Sequence, residues 1–416
     1  MDKIPHPRDA AFQPRPALTL ATTMLLLAAP LAAAGGPGTA SAAAPPESSQ
    51  VVLDWERILM RTVYPTTPIP PGVPILGFTS VAMYDAAKAS LAQADSSETA
   101  AVATAAHDVL VHYFPAQATT LDAQLAATLA TVADGSAEDL GVADGAAAAA
   151  AMLTSRLGDG YADPTIHYTL PVGIGTWQPT PPATDMLAPW LGSLRPLVVQ
   201  QPVTVNGPDE LTSAEYAADY NEVRRLGSAN SSARTPAQTA TALFFNSNSA
   251  TMVSDALVRH LEAEPLSLSD TARLFARIHA AMTDSVITCW RLKRDVGFWR
   301  PSQAIAGAAS DGNAATEPES NWAPLVPNPP YSDYVSGHAC LTSPAVETIR
   351  RTLGPATQLE LISVNSPTPR TYGTLNQLEW SALHARIWSG LHFHDAMTDG
   401  YRIGHRTARL VMEAID

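Results

Sequence analysis

Cationic and imidazole side chains recur at short spacings in the C-terminal third of this 416-residue chain. The first such segment holds Lys293 and Arg300, which are separated by six residues and followed by Pro301. On a helix these two cations lie about 10 Å apart along the axis and on nearly the same side, so that both reach one anion between them. Pro301 disfavours helix at Arg300 and predicts that the element ends there. On this segment alone, a solvated basic helix end is an equally good interpretation.

The second segment is the tripeptide Ser336-Gly337-His338. The serine hydroxyl and the glycine N–H can both donate hydrogen bonds to an oxyanion, and glycine lets an anion approach the backbone closely. His338 supplies a group that titrates near neutral pH. A turn with a capping serine, followed by a helix, is the alternative interpretation of this tripeptide.

The third segment contains Arg386 and His392. On an unbroken helix these two side chains would point about 120° apart. The Ser389-Gly390 pair between them predicts a local break that would bring both side chains to one cavity. The alternative interpretation is that His392 is a core residue whose ring nitrogens are hydrogen-bonded within the protein.

Together the three segments offer what a buried oxyanion requires. A multiply charged anion in a dry pocket is costly unless fixed cations and hydrogen-bond donors replace its water. Lys293, Arg300 and Arg386 supply up to three positive charges. Ser336 and the Gly337 amide add neutral hydrogen bonds.

The order and spacing of these segments resemble a known signature. Lys-x6-Arg-Pro, then Ser-Gly-His, then Arg-x5-His is similar to the pattern of the vanadium-dependent haloperoxidases and type-2 phosphatidic acid phosphatases. Neighbouring residues resemble the secreted haloperoxidase branch: Cys289-Trp290, Phe298-Trp299, Ala339-Cys340 and Leu391. The resemblance implies an all-α fold, a helical bundle of the vanadium haloperoxidase and acid phosphatase type with long proline-rich loops. It also implies a tetrahedral vanadate, or phosphate, at the centre of the bundle.

The resemblance also implies a role for each residue. His392 would be the axial vanadate ligand and His338 the acid–base group. The oxyanion would be held by Lys293, Arg300, Ser336, Gly337 and Arg386. We therefore expect a vanadate-dependent peroxidase that oxidises halide with hydrogen peroxide to a hypohalous species. The alternative is a secreted acid phosphatase in which His392 accepts the phosphoryl group of a small phosphoester.

Two positions depart from the family pattern. Val335 stands where proline is usual before Ser-Gly-His, which loosens the turn and removes no functional group. Ala396 occupies the place of the aspartate that normally follows the axial histidine by four residues. Because an i,i+3 neighbour on a helix can reach an imidazole N–H, we expect Asp395 to orient His392 instead.

Two further interpretations stay open. A metal hydrolase could use His392 and His394 with Asp395 or His405, although histidines two apart on a helix point to different sides. The other is a non-catalytic exported helical protein that retains a relic of the site.

Composition favours packed helices and excludes two classes of partner. Hydrophobic residues make up 46% of the chain and aromatic residues only 6%, so alanine and leucine, which are strong helix formers, supply much of the apolar content. The net charge of −14 argues against nucleic acid and anionic membrane surfaces. Hydrophobic periodicity predicts helices at 55–63, 76–94, 99–113, 118–133, 137–156, 212–225, 235–245 and 270–291. A long proline-rich loop is predicted over 162–208, and no strands are predicted.

The N-terminal residues predict export. Residues 1–42 combine a basic head, a short apolar stretch and small residues, which is typical of a secretory signal peptide. We expect a secreted protein without a stable membrane insertion, whose residues 43–416 form a single domain. Within it, residues 43–268 would be an N-terminal helical half and residues 269–416 the oxyanion-binding half. Cys289 and Cys340 leave two alternatives, a disulfide or a pair of buried free thiols.

Overall fold

The computed structural model describes residues 47–93 and 95–416, so the expected signal peptide lies outside the described residues. In this part of the chain, the all-α prediction is confirmed by thirteen α-helices and a single two-stranded sheet. The helices are α1 (Gln50–Val63), α2 (Ile69–Ala92), α3 (Glu98–Tyr113), α4 (Ala118–Leu129), α5 (Ser136–Ser155), α6 (Ala214–Gly227), α7 (Pro236–Phe244), α8 (Ser249–Ala263), α9 (Leu268–Asp295), α10 (Pro301–Gly307), α11 (Gly337–Leu353), α12 (Leu375–Trp388) and α13 (His394–Ala414).

Helix α9 lies at the centre of the fold, where it packs against α2, α11 and α13. It begins slightly earlier than hydrophobic periodicity predicts, because the Ser267 side chain caps it by accepting a hydrogen bond from the Asp270 N–H at 3.1 Å. It ends at Asp295, ahead of Gly297, whose φ of 59° lies in the left-handed region. The helix therefore stops before Arg300, so the prediction of one element reaching Arg300 is wrong.

A β-hairpin is the element that the sequence analysis missed. Strand β1 (Leu359–Ser363) pairs antiparallel with β2 (Ser366–Tyr372). Along β1 the residues alternate between buried and exposed, a period of two that its Leu359 and Leu361 already carry in the sequence. The signal is short because the strand has five residues, and it lies in a chain otherwise dominated by helical periodicity. Helix α8 was also not predicted, although Asn248 is a strong capping residue and accepts from the Ala250 N–H at 3.0 Å.

The predicted proline-rich loop over 162–208 is present and is fastened to α9 by one carboxylate. Buried Asp284 accepts hydrogen bonds from the backbone N–H groups of Leu197, Val198 and Val199 at 2.6, 2.8 and 2.6 Å. These contacts satisfy three donors that a surface loop would otherwise leave to water. All the described residues fall within one compact unit of the chain, and none of the described helices is long and apolar enough to cross a membrane.

A buried polar cluster joins four helices remote from the C-terminal motifs. Glu56 of α1 and His279 of α9 are fully buried, and the Ser80 hydroxyl of α2 lies 2.7 Å from the carboxylate and 2.8 Å from the imidazole Nδ1. Ser254 of α8 lies 3.0 Å from His279 Nε2. Burial, which outweighs the Ser80 hydrogen bond, raises the pKa of Glu56 to about 8, and burial lowers the pKa of His279 to about 3. Both groups are therefore mainly neutral at pH 7.

The first prediction concerns Glu56→Gln, which should flatten the pH dependence of stability. An unfolded glutamate titrates at about pH 4.3, so between that value and about 8 the folded state keeps a proton that the unfolded state releases. The free energy of unfolding therefore decreases as pH rises through this window, because keeping Glu56 protonated in the folded state becomes more costly. Glutamine does not ionise. The free energy of unfolding of the variant, compared with that of the unmodified protein, should therefore be larger at pH 8 than at pH 4.5 by about 2 kcal/mol or more.

Urea unfolding followed by circular dichroism at both pH values measures this difference. Glu413→Gln, at an exposed position in α13, is the matched control and should follow the unmodified protein. Equal pH dependence in Glu56→Gln and the unmodified protein would contradict the prediction.

Candidate oxyanion-binding site

The three predicted segments converge in one buried region. Arg300 Nη1 lies 3.2 Å from His392 Nε2, although the two residues are 92 positions apart in the chain. Burial, and next the positive charges around them, which include those of Arg386 and Lys293, lower the pKa of the His338 and His392 imidazoles. The structure therefore brings together all three cations and both histidines.

Each of these side chains stands at the end of an element or in a connecting loop. Lys293 is in the last turn of α9, Arg300 precedes the first residue of α10, and Ser336 precedes the first residue of α11. Arg386 lies in the last turn of α12, which ends at Trp388. Helix ends carry backbone groups without intrahelical partners, so they are places where the chain can turn polar side chains toward one point.

The predicted break between Arg386 and His392 is confirmed. Gly390 has a φ of 75°, a backbone conformation that favours glycine. A Cβ atom at this position would also lie only 2.5 Å from the Gly227 carbonyl oxygen. The Ser389-Gly390 turn thereby ends α12 and carries His392 back toward the cations.

Backbone carbonyls of residues 331–333, here called the 331–333 segment, receive two of the buried cations. Lys293 Nζ donates to the Ser332 and Asp333 carbonyl oxygens at 2.7 and 2.9 Å. Arg300 Nε donates to the Tyr331 carbonyl oxygen at 2.8 Å. These partners are neutral, and burial lowers the pKa of Lys293 to about 8.

Two guanidinium nitrogens in this region have no partner among the described residues. They are Arg300 Nη2 and Arg386 Nε, and both atoms are buried. An unsatisfied buried donor on a cation costs free energy that an anion would recover. The donors present therefore fit an oxyanion such as vanadate or phosphate, with Lys293, Arg300 and Arg386 as the residues that would hold it.

Asp333 is a candidate site residue that the sequence did not predict. Its Oδ1 lies 2.7 Å from His392 Nδ1, and both side chains are buried. Because Arg300 is always a donor toward His392 Nε2, that nitrogen carries the lone pair and Nδ1 carries the proton given to Asp333. Burial, and next the positive charge of Arg300, hold the pKa of His392 well below its usual range, so the ring is neutral.

The expected pairing of Asp395 with His392 is wrong. Both ring nitrogens of His392 face other residues, and the Asp395 backbone N–H donates to Asp219 at 2.7 Å. Burial, and next the negative charge of Asp399, raise the pKa of the Asp395 carboxyl to about 7. The missed signal is the position of Asp333, three residues before Ser336, in a segment without helical spacing that would link it to His392.

Ser336 and Gly337 lie where the sequence predicts them, at the start of α11. The Ser336 hydroxyl oxygen caps the helix by accepting from the Ala339 N–H at 3.5 Å. At Gly337 a Cβ atom would approach the Trp290 ring to 3.1 Å, so glycine here also permits close packing against α9. Pro344 stands inside α11, which runs without interruption from Gly337 to Leu353.

His338 has a backbone partner instead of a carboxylate. Its Nε2 lies 3.1 Å from the Ser247 carbonyl oxygen. Burial, and next the positive charge of Arg386, hold the pKa of His338 well below its usual range. The neutral imidazole therefore offers one lone pair, on Nδ1, for proton transfer.

The remaining C-terminal histidines do not converge on His392. His394 Nδ1 lies 3.0 Å from Glu222, and His405 Nε2 lies 2.6 Å from Glu379. Across residues 47–93 and 95–416, no three His, Cys, Asp or Glu side chains form a group that could hold a metal ion. The arrangement counts against the metal-hydrolase interpretation.

Of the two alternatives for the cysteines, the structure shows the second: Cys289 and Cys340 are buried free thiols.

The second prediction concerns the tautomer of His392. Burial raises the pKa of Asp333 to about 7, so its carboxyl is mainly ionised at pH 8. We expect ¹⁵N NMR of histidine-labelled protein at pH 8 to show a neutral ring protonated on Nδ1, because Asp333 accepts from that nitrogen. Asp333→Ala should lower the Nδ1–H fraction, whereas Asp333→Asn should largely keep it through the amide oxygen. A ring protonated on Nε2 in the unmodified protein would contradict the assignment.

The third prediction concerns Lys293 and anion affinity. Since burial lowers the pKa of Lys293 to about 8, its positive charge is lost as pH rises above that value. Titration calorimetry with inorganic phosphate should therefore show affinity falling by up to about tenfold per pH unit between pH 8 and 9.5.

Lys293→Met should bind phosphate more weakly at pH 7 and lose this dependence on pH. Lys88→Met, which changes an exposed lysine of α2, is the control and should retain it. Parallel pH profiles for Lys293→Met and the unmodified protein would show that Lys293 does not hold the anion.

Comparisons with known proteins agree with this fold. A family model described as the VCPO second helical-bundle domain matches residues 273–416. Vanadium chloroperoxidase from Curvularia inaequalis is 28% identical over 176 residues, which cover 35% of this chain and 28% of that protein. The aligned part thus spans less than a third of this relative.

Solved structures extend the likeness over most of the chain. A bacterial vanadium-dependent iodoperoxidase superposes with a TM-score of 0.68 at 19% identity, covering 89% of this chain and 97% of the other. A holo-type bacterial vanadium-dependent chloroperoxidase gives 0.66 at 16% identity, covering 84% and 92%. At these identities the likeness shows a shared helical-bundle fold. The family-model match adds that residues 273–416, which carry the three converging segments, are similar to a VCPO second helical-bundle domain.

Proposed function

We propose that this protein is a vanadate-dependent peroxidase that uses hydrogen peroxide to oxidise a halide to a hypohalous species. The observation that carries the proposal is the His392 Nε2 lone pair, held 3.2 Å from the Arg300 guanidinium. A neutral nitrogen donor facing buried cations is suited to bind one oxyanion that accepts both a ligand lone pair and charged hydrogen bonds.

The cations of the site would neutralise and orient vanadate. Arg300 and Arg386 each present an unsatisfied buried nitrogen, and the ammonium group of Lys293 adds a third positive charge. Ser336 and the Gly337 N–H are the neutral donors at the start of α11. When bound, vanadate supplies a Lewis-acid centre that activates hydrogen peroxide without a change in the oxidation state of the metal.

The two histidines would have different roles, one as the cofactor ligand and one in proton exchange. His392 provides the single protein lone pair for the cofactor, and Asp333 keeps that lone pair on Nε2. His338 exchanges a proton through Nδ1, since its Nε2–H is engaged by the Ser247 carbonyl oxygen. The buried cations also favour the approach of a halide anion.

An acid phosphatase is the second candidate, because the same neutral Nε2 of His392 would serve as a nucleophile toward a phosphoester. The ligand set alone does not separate the two activities, since vanadate and phosphate share shape and charge. The likeness to vanadium haloperoxidases supports the peroxidase. We also propose that the protein acts outside the cytoplasm, on the sequence pattern of residues 1–42.

The fourth prediction tests the function directly. Purified protein incubated with bromide and hydrogen peroxide should brominate an organic acceptor, with a rate that saturates as vanadate is added. His392→Ala should lower this rate by about 100-fold or more, because the cofactor loses its protein ligand. Arg406→Gln, at an exposed position in α13, is the control and should retain the activity.

The same preparations are assayed with p-nitrophenyl phosphate in the absence of vanadate. Hydrolysis that depends on His392, without vanadate-dependent bromination, would replace the peroxidase by the phosphatase. Bromination that needs no vanadate would overturn the proposed cofactor.

A further inference from the structure

A loop remote in sequence from the C-terminal motifs contacts two of the site residues through its backbone. The loop is residues 245–248, between α7 and α8. Its Ser247 carbonyl oxygen lies 3.1 Å from His338 Nε2, and its Phe245 carbonyl oxygen accepts from Arg386 Nη1 at 3.4 Å. The position of this loop therefore affects both the acid–base histidine and a cation of the site.

The carbonyl contact determines which nitrogen of His338 is free. A carbonyl oxygen accepts hydrogen bonds and does not donate them, so His338 Nε2 carries the proton. Among the described residues, His338 Nδ1 has no hydrogen-bond partner of its own. A shift of the Ser247 carbonyl would remove the preference between the two tautomers and allow the ring to rotate.

Side chains at the tip of the β-hairpin form hydrogen bonds with this loop and with the end of α7. Ser363 Oγ donates to the Phe244 carbonyl oxygen at 2.7 Å and lies 2.9 Å from Ser247 Oγ. Asn365 Nδ2 donates to the Asn246 carbonyl oxygen and lies 3.3 Å from Ser247 Oγ. Three of the four residues 244–247 are thus bonded to two hairpin side chains.

The hairpin is itself anchored away from its tip. Arg259 of α8 donates to the Glu360 carbonyl oxygen at 2.6 Å. Arg370 of β2 donates to Thr241 Oγ1 at 2.9 Å, and its guanidinium lies 4.5 Å from the centre of the Phe244 ring. The tip contacts are therefore made from a supported element, which is what a positioning device requires.

We propose that Ser363 and Asn365 are positioning residues for His338: through Ser247 they hold the imidazole in the tautomer that leaves Nδ1 as the proton-exchanging nitrogen. The inference rests on the proposed function only in taking His338 as the acid–base group. In this inference the hairpin positions the Ser247 carbonyl oxygen, which is the partner of His338. Among the described residues no carboxylate is hydrogen-bonded to that ring.

The fifth prediction tests this assignment on the full chain without added vanadate. Histidine-labelled protein is studied by ¹⁵N NMR, with the His338 signals assigned by their loss in His338→Asn. The unmodified protein should show His338 protonated on Nε2. Ser363→Ala and Asn365→Ala should each lower the Nε2–H fraction and broaden the signals, because the Ser247 carbonyl loses its support.

Val364→Ala is the matched control, since Val364 lies between the two residues at the hairpin tip and is 92% exposed. It should leave the His338 signals unchanged. In the bromination assay we expect kcat to fall about tenfold in both tip variants and to be retained in Val364→Ala. If Ser363→Ala does not fold, as judged by circular dichroism, Asn365→Ala decides.

His338 protonated on Nδ1 in the unmodified protein would overturn the inference. So would folded tip variants with unchanged His338 signals, even if their activity falls, since that result would indicate a merely structural hairpin. Failure of the proposed function is a separate result, because absence of bromination in the unmodified protein leaves the NMR comparison intact.

Discussion

Burial of three like charges in one region is the constraint on which this structure depends. Lys293, Arg300 and Arg386 are each at most 3% exposed, and burial lowers the pKa of Lys293 to about 8 and that of Arg386 to about 10. Removing cations from water is costly, and mutual repulsion adds to the cost. The arrangement persists because the surrounding helical core is extensive and because carbonyl oxygens replace part of the lost hydration. An anion would supply the countercharge that these residues lack.

The 331–333 segment is the structural centre of the site. Its carbonyl oxygens receive Arg300 and Lys293, and the Asp333 carboxylate receives His392. The backbone of Asp333 is held in turn by its N–H, which donates to the Phe298 carbonyl oxygen at 2.8 Å. One short segment without regular secondary structure therefore sets the positions of two cations and of the candidate vanadate ligand.

The partners of the two histidines are where the structure departs most from the pattern in the sequence. Spacing on a helix suggested Asp395 for His392, but the structure places Asp333 there, 59 residues earlier in the chain. For His338 the partner is a carbonyl oxygen of Ser247, 91 residues away. Contacts of this kind have no sequence periodicity, because they arise where loops from different elements meet. The hairpin was missed for a related reason, since a strand of five residues gives only a weak alternation signal.

Local sequence is sufficient to predict the helical class, the long proline-rich loop, the turn at Ser389-Gly390 and the identity of the cationic and imidazole residues. These features follow from local chemistry: helix propensity, the fixed geometry of proline, the freedom of glycine and the charge of each side chain. By contrast, the protonated nitrogen of His392 and of His338, and the residues that enforce each tautomer, follow from the three-dimensional arrangement of the chain. A tautomer depends on a hydrogen-bond partner within about 3 Å, and in this fold both partners come from distant parts of the chain.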